Sequence, residues 1–128
     1  MPQFSQNSYA KLDSCDSRLR RVMERAIKLV PLDLDFTILE GHRGQQAQDA
    51  AFEQGKSQLK WPNGNHNKYP SLAVDVAPYP IDWNNKERFY LLATYIFKAA
   101  YIEGVDIKWG GHWPHFKDLP HWEVKSEL

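Results

Sequence analysis

The chain has 128 residues, a length that fits one domain and allows a buried core without disulfide bonds. Its 16 Lys and Arg residues balance 16 Asp and Glu residues, which argues against nucleic-acid binding through bulk charge. The one cysteine, Cys15, excludes an intramolecular disulfide framework and a cysteine-rich zinc cage.

Residues 1–19 lack the charged region and following apolar stretch that are typical of a signal peptide. No apolar run approaches the ~18 residues that cross a bilayer. We therefore expect synthesis in a cytoplasm, no export through a standard signal and no stable insertion into a membrane.

Apolar periodicity predicts the elements of the first half of the chain. Residues 16–30 are expected to form a helix, because apolar side chains recur at the spacing of one helix face. Residues 35–40 alternate polar and apolar side chains and are rich in β-formers, which predicts a strand. A short helix over 45–53 follows, and residues 56–71, with their prolines and asparagines, indicate a loop.

The second half continues with a short apolar run, LAVDVA, over residues 72–77, which predicts a strand buried on both faces. A long helix, capped by one of the asparagines at 84–85, is expected to run to about residue 101. Short strands are expected over 105–109 and 121–125. This order of elements predicts an α+β fold, with helices packed on a small, mainly antiparallel sheet.

Asp75 stands inside the predicted strand, between Val74 and Val76. An ionised carboxylate in an apolar strand is costly unless it is paired or bound to a metal. The position therefore favours a functional or ligand role over that of an ordinary turn aspartate.

Two of the histidines lie close in sequence to aspartates: His66 comes nine residues before Asp75, and His121 three residues after Asp118. Zinc binds imidazole nitrogens and carboxylate oxygens, and a catalytic zinc leaves one position open for water. A carboxylate beside such a site serves as the general base. The spacing is consistent with one shared zinc site, and surface histidines without a shared ion fit it as well.

Arg43 directly follows the first predicted strand. An arginine at this place is usually solvated or paired with a nearby acid, such as Glu40. It is also placed to stabilise the oxygen that gains negative charge during amide hydrolysis. The sequence leaves both interpretations open.

Four stretches, residues 14–27, 40–57, 66–80 and 107–124, together resemble the zinc peptidoglycan peptidases. That family includes the D-Ala-D-Ala carboxypeptidases, the dipeptidases of vancomycin resistance and the phage L-alanyl-D-glutamate endolysins. The most specific feature is the pairing of an H…S-x-A-V-D segment with a W-G-G…D-x-P-H-x-E segment. The sequence APYP after the aspartate most resembles the phage endolysin branch. The resemblance implies the fold of the hedgehog and DD-peptidase domains.

The resemblance implies a role for each matched position. His66, Asp75 and His121 match the three zinc ligands, which implies one zinc ion per chain. Asp118 matches the catalytic acid/base, and Arg43 matches the arginine that steadies the substrate carbonyl or the oxyanion.

Substrate binding is less closely matched. Ser57 falls in the family's G-K-S segment and is the candidate substrate-binding residue. Many members have serine two residues before the first histidine, and this chain has Gly64 there; Asn63 and Asn65 are candidates to replace it. At the base position the carboxypeptidase branch commonly has glutamate, so the aspartate of this chain fits the endolysin branch better.

Other conspicuous residues are expected to have supporting roles. His112 and His115 are candidates for the cleft lining rather than ligands, and Cys15 is expected to be structural. Glu123 lies two residues beyond His121 on a strand, so both side chains face the same way. It is expected either to hydrogen-bond the outer nitrogen of a ligand histidine or to form a plain salt bridge. The core and the cleft wall are the expected places of three tryptophans, Trp109, Trp113 and Trp122, and a sugar-binding platform is the alternative for them.

The resemblance thus implies a zinc-dependent phage endolysin that cleaves the L-Ala–D-Glu bond of the peptidoglycan stem peptide through an activated water. We expect a single catalytic domain over residues 1–128, with no separate wall-binding domain, no nucleic-acid partner and a monomeric state. Such a protein accumulates in the host bacterial cytoplasm and reaches the wall after a holin opens the inner membrane. The alternatives are a D-Ala-D-Ala carboxypeptidase or dipeptidase of the same family, and a non-catalytic zinc-binding module.

Overall fold

The computed structural model describes residues 2–115 and 117–125 of the chain. Its helices and strands follow in the order α1 (Gln6–Asp13), α2 (Ser17–Leu29), β1 (Phe36–Glu40), α3 (Gln45–Glu53), β2 (Ala73–Pro78), α4 (Lys86–Glu103), β3 (Ile107–Trp109) and β4 (His121–Val124). Short 3-10 turns cover Leu32–Leu34, Asn65–Asn67 and Gly110–His112. Among the described residues, no helix combines the length and the apolar character needed to cross a membrane.

The four strands form one antiparallel sheet in the order β1-β2-β4-β3. The β2–β4 pairing places Asp75 opposite His121. A bulge in β1 between Ile38 and Glu40 brings Glu40 opposite the same Asp75. The predicted α+β fold with a small antiparallel sheet is confirmed, and its register gathers polar residues around the middle of β2.

The core lies between the sheet and the two long helices, α2 and α4. The apolar spacing that predicts α2 becomes its buried face, which consists of Leu19, Val22, Met23, Ala26 and Ile27. The buried face of α4 consists of Phe89, Leu92, Ala93, Ile96, Ala99 and Ala100. Asp16 begins α2 by accepting a hydrogen bond from the Arg18 amide at 2.9 Å, and Gly104 ends α4 in the left-handed region at φ 68°.

The sequence patterns do not predict α1, because only two of its residues, Ser8 and Leu12, are buried and it has no apolar stripe. The helix α1 packs against β1, which is an edge strand of the sheet. The Ser8 hydroxyl lies 3.0 Å from Thr37 Oγ1 and accepts a hydrogen bond from the Ile38 amide at 3.1 Å. The helix therefore covers a strand edge that otherwise exposes unpaired backbone groups.

Candidate active site

His66, Asp75 and His121 come together beside the middle of β2. Asp75 is in the middle of this strand, His121 is the first residue of β4, and His66 is in the 3-10 turn before β2. Asp75 Oδ1 lies 3.2 Å from His66 Nε2 and 3.3 Å from His121 Nδ1. One donor atom from each residue lies within 4.8 Å of the others. Both histidines are buried, so they are not independent surface residues.

The outer nitrogen of each histidine already has a partner. His66 Nδ1 lies 2.8 Å from the Gly41 carbonyl oxygen, and His121 Nε2 lies 2.7 Å from Glu123 Oε1. The second oxygen of Glu123 accepts a hydrogen bond from Asn65 Nδ2 at 2.8 Å. Metal-binding histidines are typically oriented in this way, with one ring nitrogen bound to a carbonyl or a carboxylate. Of the two roles considered for Glu123, the structure shows the contact with the outer nitrogen.

This orientation leaves His66 Nε2, His121 Nδ1 and a carboxylate oxygen of Asp75 facing one another. Two imidazole nitrogens and one carboxylate are a donor set that suits a catalytic zinc and leaves a position for water. The three residues therefore fit the metal that the resemblance implies.

The electrostatics also suit a cation. Burial acts to raise the pKa of Asp75, but hydrogen bonds from His121 and His66 outweigh it and hold this pKa well below its usual range. Burial acts to lower the pKa of His121, but its hydrogen bonds with Asp75 and Glu123 raise it to about 9. Two carboxylates, those of Asp75 and Glu123, thus favour positive charge at His121, and a site of this kind suits a cation.

Asp118 is held beside this cluster by the loop that leads into β4. Its amide donates to the Gly110 carbonyl oxygen at 3.0 Å, and its own carbonyl oxygen accepts from the His121 amide at 3.1 Å. A Cβ at Gly110 would collide with the Asp118 carbonyl oxygen, so the first glycine of W-G-G is needed for this approach. Burial and the charge of Asp75 raise the pKa of Asp118, which favours uptake of a proton.

Arg43 forms an ion pair with Glu40, which is one of the two interpretations that the sequence leaves open. Its Nε and Nη2 atoms donate to the two Glu40 oxygens at 3.0 and 2.7 Å. Nη2 also lies 3.6 Å from Asp75 Oδ2, so the same guanidinium borders the metal-ligand cluster. Arg43 therefore pairs with an acid and also lies beside the metal-ligand cluster. Its role in stabilising an oxyanion stays a prediction.

Gln48 is a site residue that sequence reasoning missed. It is the buried residue of α3, at 1% exposure, and both ends of its amide are used. Its oxygen accepts from Arg43 Nη1 at 2.9 Å and Asn67 Nδ2 at 3.1 Å. Its nitrogen donates to Ser57 Oγ at 3.0 Å and to the Leu59 carbonyl oxygen at 2.6 Å. No sequence pattern distinguishes Gln48 from the other glutamines of this segment.

One cleft of about 1070 Å³ is lined by most of these side chains. Asp75 and His121 border it, and α3 with the following loop, including Ser57, forms part of its wall. Another part of the wall comes from the start of α4. The structure thus brings together every residue that the resemblance selected: His66, Asp75, His121, Asp118, Arg43 and Ser57.

Comparison with known proteins identifies the family of this chain. A sequence model of the phage L-alanyl-D-glutamate peptidases matches residues 1–126. The chain belongs to this family. The L-alanyl-D-glutamate peptidase of Escherichia phage T5 is 34% identical to it over 128 residues, which cover 96% of this chain and 89% of the phage protein.

Two bacterial proteins are also similar. The peptidoglycan L-alanyl-D-glutamate endopeptidase CwlK of Bacillus subtilis is 28% identical over 102 residues, or 71% of this chain and 61% of CwlK. The crystal structure of the Serratia marcescens L-Ala D-Glu endopeptidase ChiX superimposes with a TM-score of 0.82 and 26% identity. That match covers 96% of this chain and 90% of ChiX. The expected resemblance to the endolysin branch is confirmed.

The backbone at Gly64 is closely packed. Its amide donates to Asn67 Oδ1 at 2.9 Å, and a Cβ there would lie 3.0 Å from that oxygen. Both neighbours that the sequence offers as replacements for the family serine, Asn63 and Asn65, border the cleft. The amide nitrogen of Asn65 is bound to Glu123, and the replacement of the serine by either residue stays a prediction.

The remaining histidines and tryptophans divide between core, surface and cleft. His112 and His115 are exposed and lie outside the metal-ligand cluster and the cleft lining, so the expectation that they line the cleft is wrong. His112 instead stacks on Phe97 with ring centroids 5.5 Å apart. Trp109 and Trp122 are buried, whereas Trp113 borders the cleft and packs against the His121 ring at 4.9 Å.

Proposed function

We propose that this protein is a zinc-dependent endopeptidase that hydrolyses the L-Ala–D-Glu bond of the peptidoglycan stem peptide. The observation that carries the proposal is the arrangement of His66, Asp75 and His121, with both outer histidine nitrogens already bound, in the lining of an open cleft. Family membership and the names of the phage T5, CwlK and ChiX proteins support the choice of this bond.

The metal-binding part of the proposal assigns His66 Nε2, His121 Nδ1 and the Asp75 carboxylate as the ligands of one zinc ion. When bound, zinc acts as a Lewis acid that polarises a carbonyl and makes water a better nucleophile near neutral pH. Gly41 and Glu123 keep the ligating nitrogens turned inwards by binding the opposite side of each ring.

Proton transfer is assigned to Asp118. Its carboxylate takes a proton from the attacking water and then donates it to the nitrogen of the leaving D-Glu. Arg43 stabilises the negative charge that develops on the carbonyl oxygen. Cys15 does not serve as a nucleophile, because it is buried and burial raises its pKa to about 12.

Ser57 and its surroundings are assigned to substrate binding. Its hydroxyl is fixed by Gln48 Nε2 and by the Leu59 amide at 3.2 Å, in the cleft wall. We further propose that the protein works as a monomer, and that it accumulates in the host cytoplasm until it gains access to the wall at lysis. The support for this setting is the phage source of the T5 relative.

Metal analysis and activity measurements on one preparation test the proposal. We expect one zinc per chain, loss of peptidase activity on chelation and recovery on addition of zinc. His66→Ala should lose both zinc and activity, whereas His112→Ala, at an exposed histidine outside the cluster, should keep both. Full zinc occupancy in His66→Ala would contradict the ligand assignment.

A further inference from the structure

The cleft wall at the start of α4 carries exposed aromatic side chains that the proposed chemistry does not use. Trp83 is 56% exposed and Tyr90 is 47% exposed, and both border the same cleft as His66 and Asp75. Single exposed aromatics are common on protein surfaces, so exposure by itself indicates little. The fixed orientation of Trp83 and its place in the cleft distinguish it.

One face of the Trp83 ring is held by the protein core. The indole stacks on Phe89 with centroids 5.8 Å apart and an interplanar angle of 18°. Phe89 is 4% exposed and belongs to the buried face of α4. Because more than half of the Trp83 surface is still exposed, a flat aromatic face is left for a ligand.

The chain just before Trp83 is held in place by Arg88. The Arg88 guanidinium donates hydrogen bonds to the backbone carbonyl oxygens of Tyr79 at 3.1 Å and Pro80 at 3.1 Å, and to that of Asp33 at 3.3 Å. A rigid aromatic side chain loses little conformational entropy when a ligand packs on it. Trp83 is therefore organised for contact before any ligand arrives.

The substrate chemistry suggests the ligand. In peptidoglycan the L-Ala nitrogen is joined through a lactyl group to a muramyl sugar, so a cleft that receives the L-Ala–D-Glu bond meets a sugar ring nearby. The carboxyl of that lactyl group is consumed in the amide, so the sugar end is uncharged. A pyranose ring has a flat face of C–H groups that packs on an aromatic ring.

We propose that Trp83, with Tyr90 on the same wall, forms a subsite for the muramyl sugar of the glycan strand. This inference rests on the proposed function, since the sugar is defined by that substrate. It assigns the α4 wall to the glycan side of the scissile bond and the α3 wall, with Ser57, to the peptide.

A pair of soluble substrates separates sugar binding from peptide hydrolysis. The first is a muropeptide, the stem peptide linked to its disaccharide, and the second is the same peptide with an N-acetyl group on L-Ala in place of the sugar. The acetyl group keeps the L-Ala nitrogen an amide, so the two substrates differ in the sugar and in the small lactyl link that joins it to the peptide. We expect wild-type kcat/KM to be about tenfold higher on the muropeptide, with the difference in KM.

Trp83→Ala should lower kcat/KM on the muropeptide about tenfold and leave the acetylated peptide unaffected. Activity on the acetylated peptide also shows that the variant is folded. Trp83→Phe keeps a flat ring and should give an intermediate preference for the muropeptide. Tyr101→Ala is the control, since this exposed α4 aromatic is outside the cleft lining, and it should match wild type on both substrates.

Equal wild-type rates on the two substrates would overturn the inference. An equal loss on both substrates in Trp83→Ala and Trp83→Phe, or no loss on either, would overturn it as well. A wild-type protein that carries zinc and cleaves neither substrate would instead overturn the proposed function, and the sugar subsite with it.

Discussion

At the scale of single residues, a substitution of Asp118 tests the proposed proton transfer separately from metal binding. Asp118→Asn preserves size and removes the group that accepts a proton. We expect this variant to fold and to bind one zinc, and to lose at least ~100-fold in kcat, the usual scale for a general base. Asp106→Asn, at an exposed aspartate outside the cleft lining, should leave kcat unchanged. Loss of zinc in Asp118→Asn would instead make Asp118 a metal ligand.

Gln48 is the residue through which Arg43 is joined to the cleft wall. Gln48→Leu keeps the approximate volume but removes the acceptor for Arg43 Nη1 and the donor to Ser57 Oγ. Unpaired buried polar groups typically cost about 1–3 kcal/mol each, so we expect lower stability together with a fall in kcat.

A double-mutant cycle with Arg43→Ala shows whether Gln48 acts through Arg43. Because the two side chains are hydrogen-bonded, the double variant should lose less activity than the product of the two single losses. Strictly multiplicative losses in kcat would contradict the coupling. Gln45→Leu, at an exposed glutamine of the same helix, is the matched control and should behave as wild type.

At the scale of elements, the packing of α2 against α4 and the sheet provides the support for the site. Leu19 of α2 is 0% exposed, whereas Leu32, in the turn after that helix, is 75% exposed. Leu19→Ala should lower the free energy of unfolding by about 2–5 kcal/mol, through lost burial and a new cavity. Leu32→Ala should change it by less than about 0.5 kcal/mol. Denaturant unfolding of the two variants measures both, and equal effects would contradict the assigned core.

The elements with strong periodicity are those that the sequence predicts best. Residues 45–53 are α3 as expected, and α2 is one residue shorter than predicted at each end. The helix α4 begins after Asn85, as expected, and ends two residues later than predicted. The predicted strand over 105–109 is shortened to Ile107–Trp109. The helix α1 is unpredicted because it is held by tertiary contacts of Ser8 with β1, which local pattern does not contain.

The site shows a similar division between local and tertiary information. Asp75 is unusual within its own strand, so its importance is visible from the sequence, and the resemblance identifies its partners. The role of Gly41 depends on a carbonyl oxygen that meets His66 from 25 positions away. A Cβ at Gly41 would collide with the Lys11 carbonyl oxygen and Ser14 Oγ, a constraint that arises only when α1 packs beside the site.

At the scale of the whole molecule, the fold brings together groups that are distant in the chain. The antiparallel β2–β4 pair sets Asp75 opposite His121, and the loop after α3 returns His66 to the same point. The β1 edge of the sheet is covered by α1, while residues of α3 and of the start of α4 both line the cleft. An open cleft suits an endopeptidase, whose substrate continues on both sides of the cleaved bond.

The central claim is the bond that the protein cuts, and mass spectrometry of purified cell wall digested by the zinc-loaded protein tests it most directly. Labelling of new amino termini accompanies the mass measurement. We expect stem peptides with a new N-terminal D-Glu, and glycan strands that retain L-Ala. Free D-alanine as the sole product, with the L-Ala–D-Glu bond intact, would contradict the claim and indicate a carboxypeptidase. No product at all from a fully zinc-bound protein would contradict it in favour of a non-catalytic module.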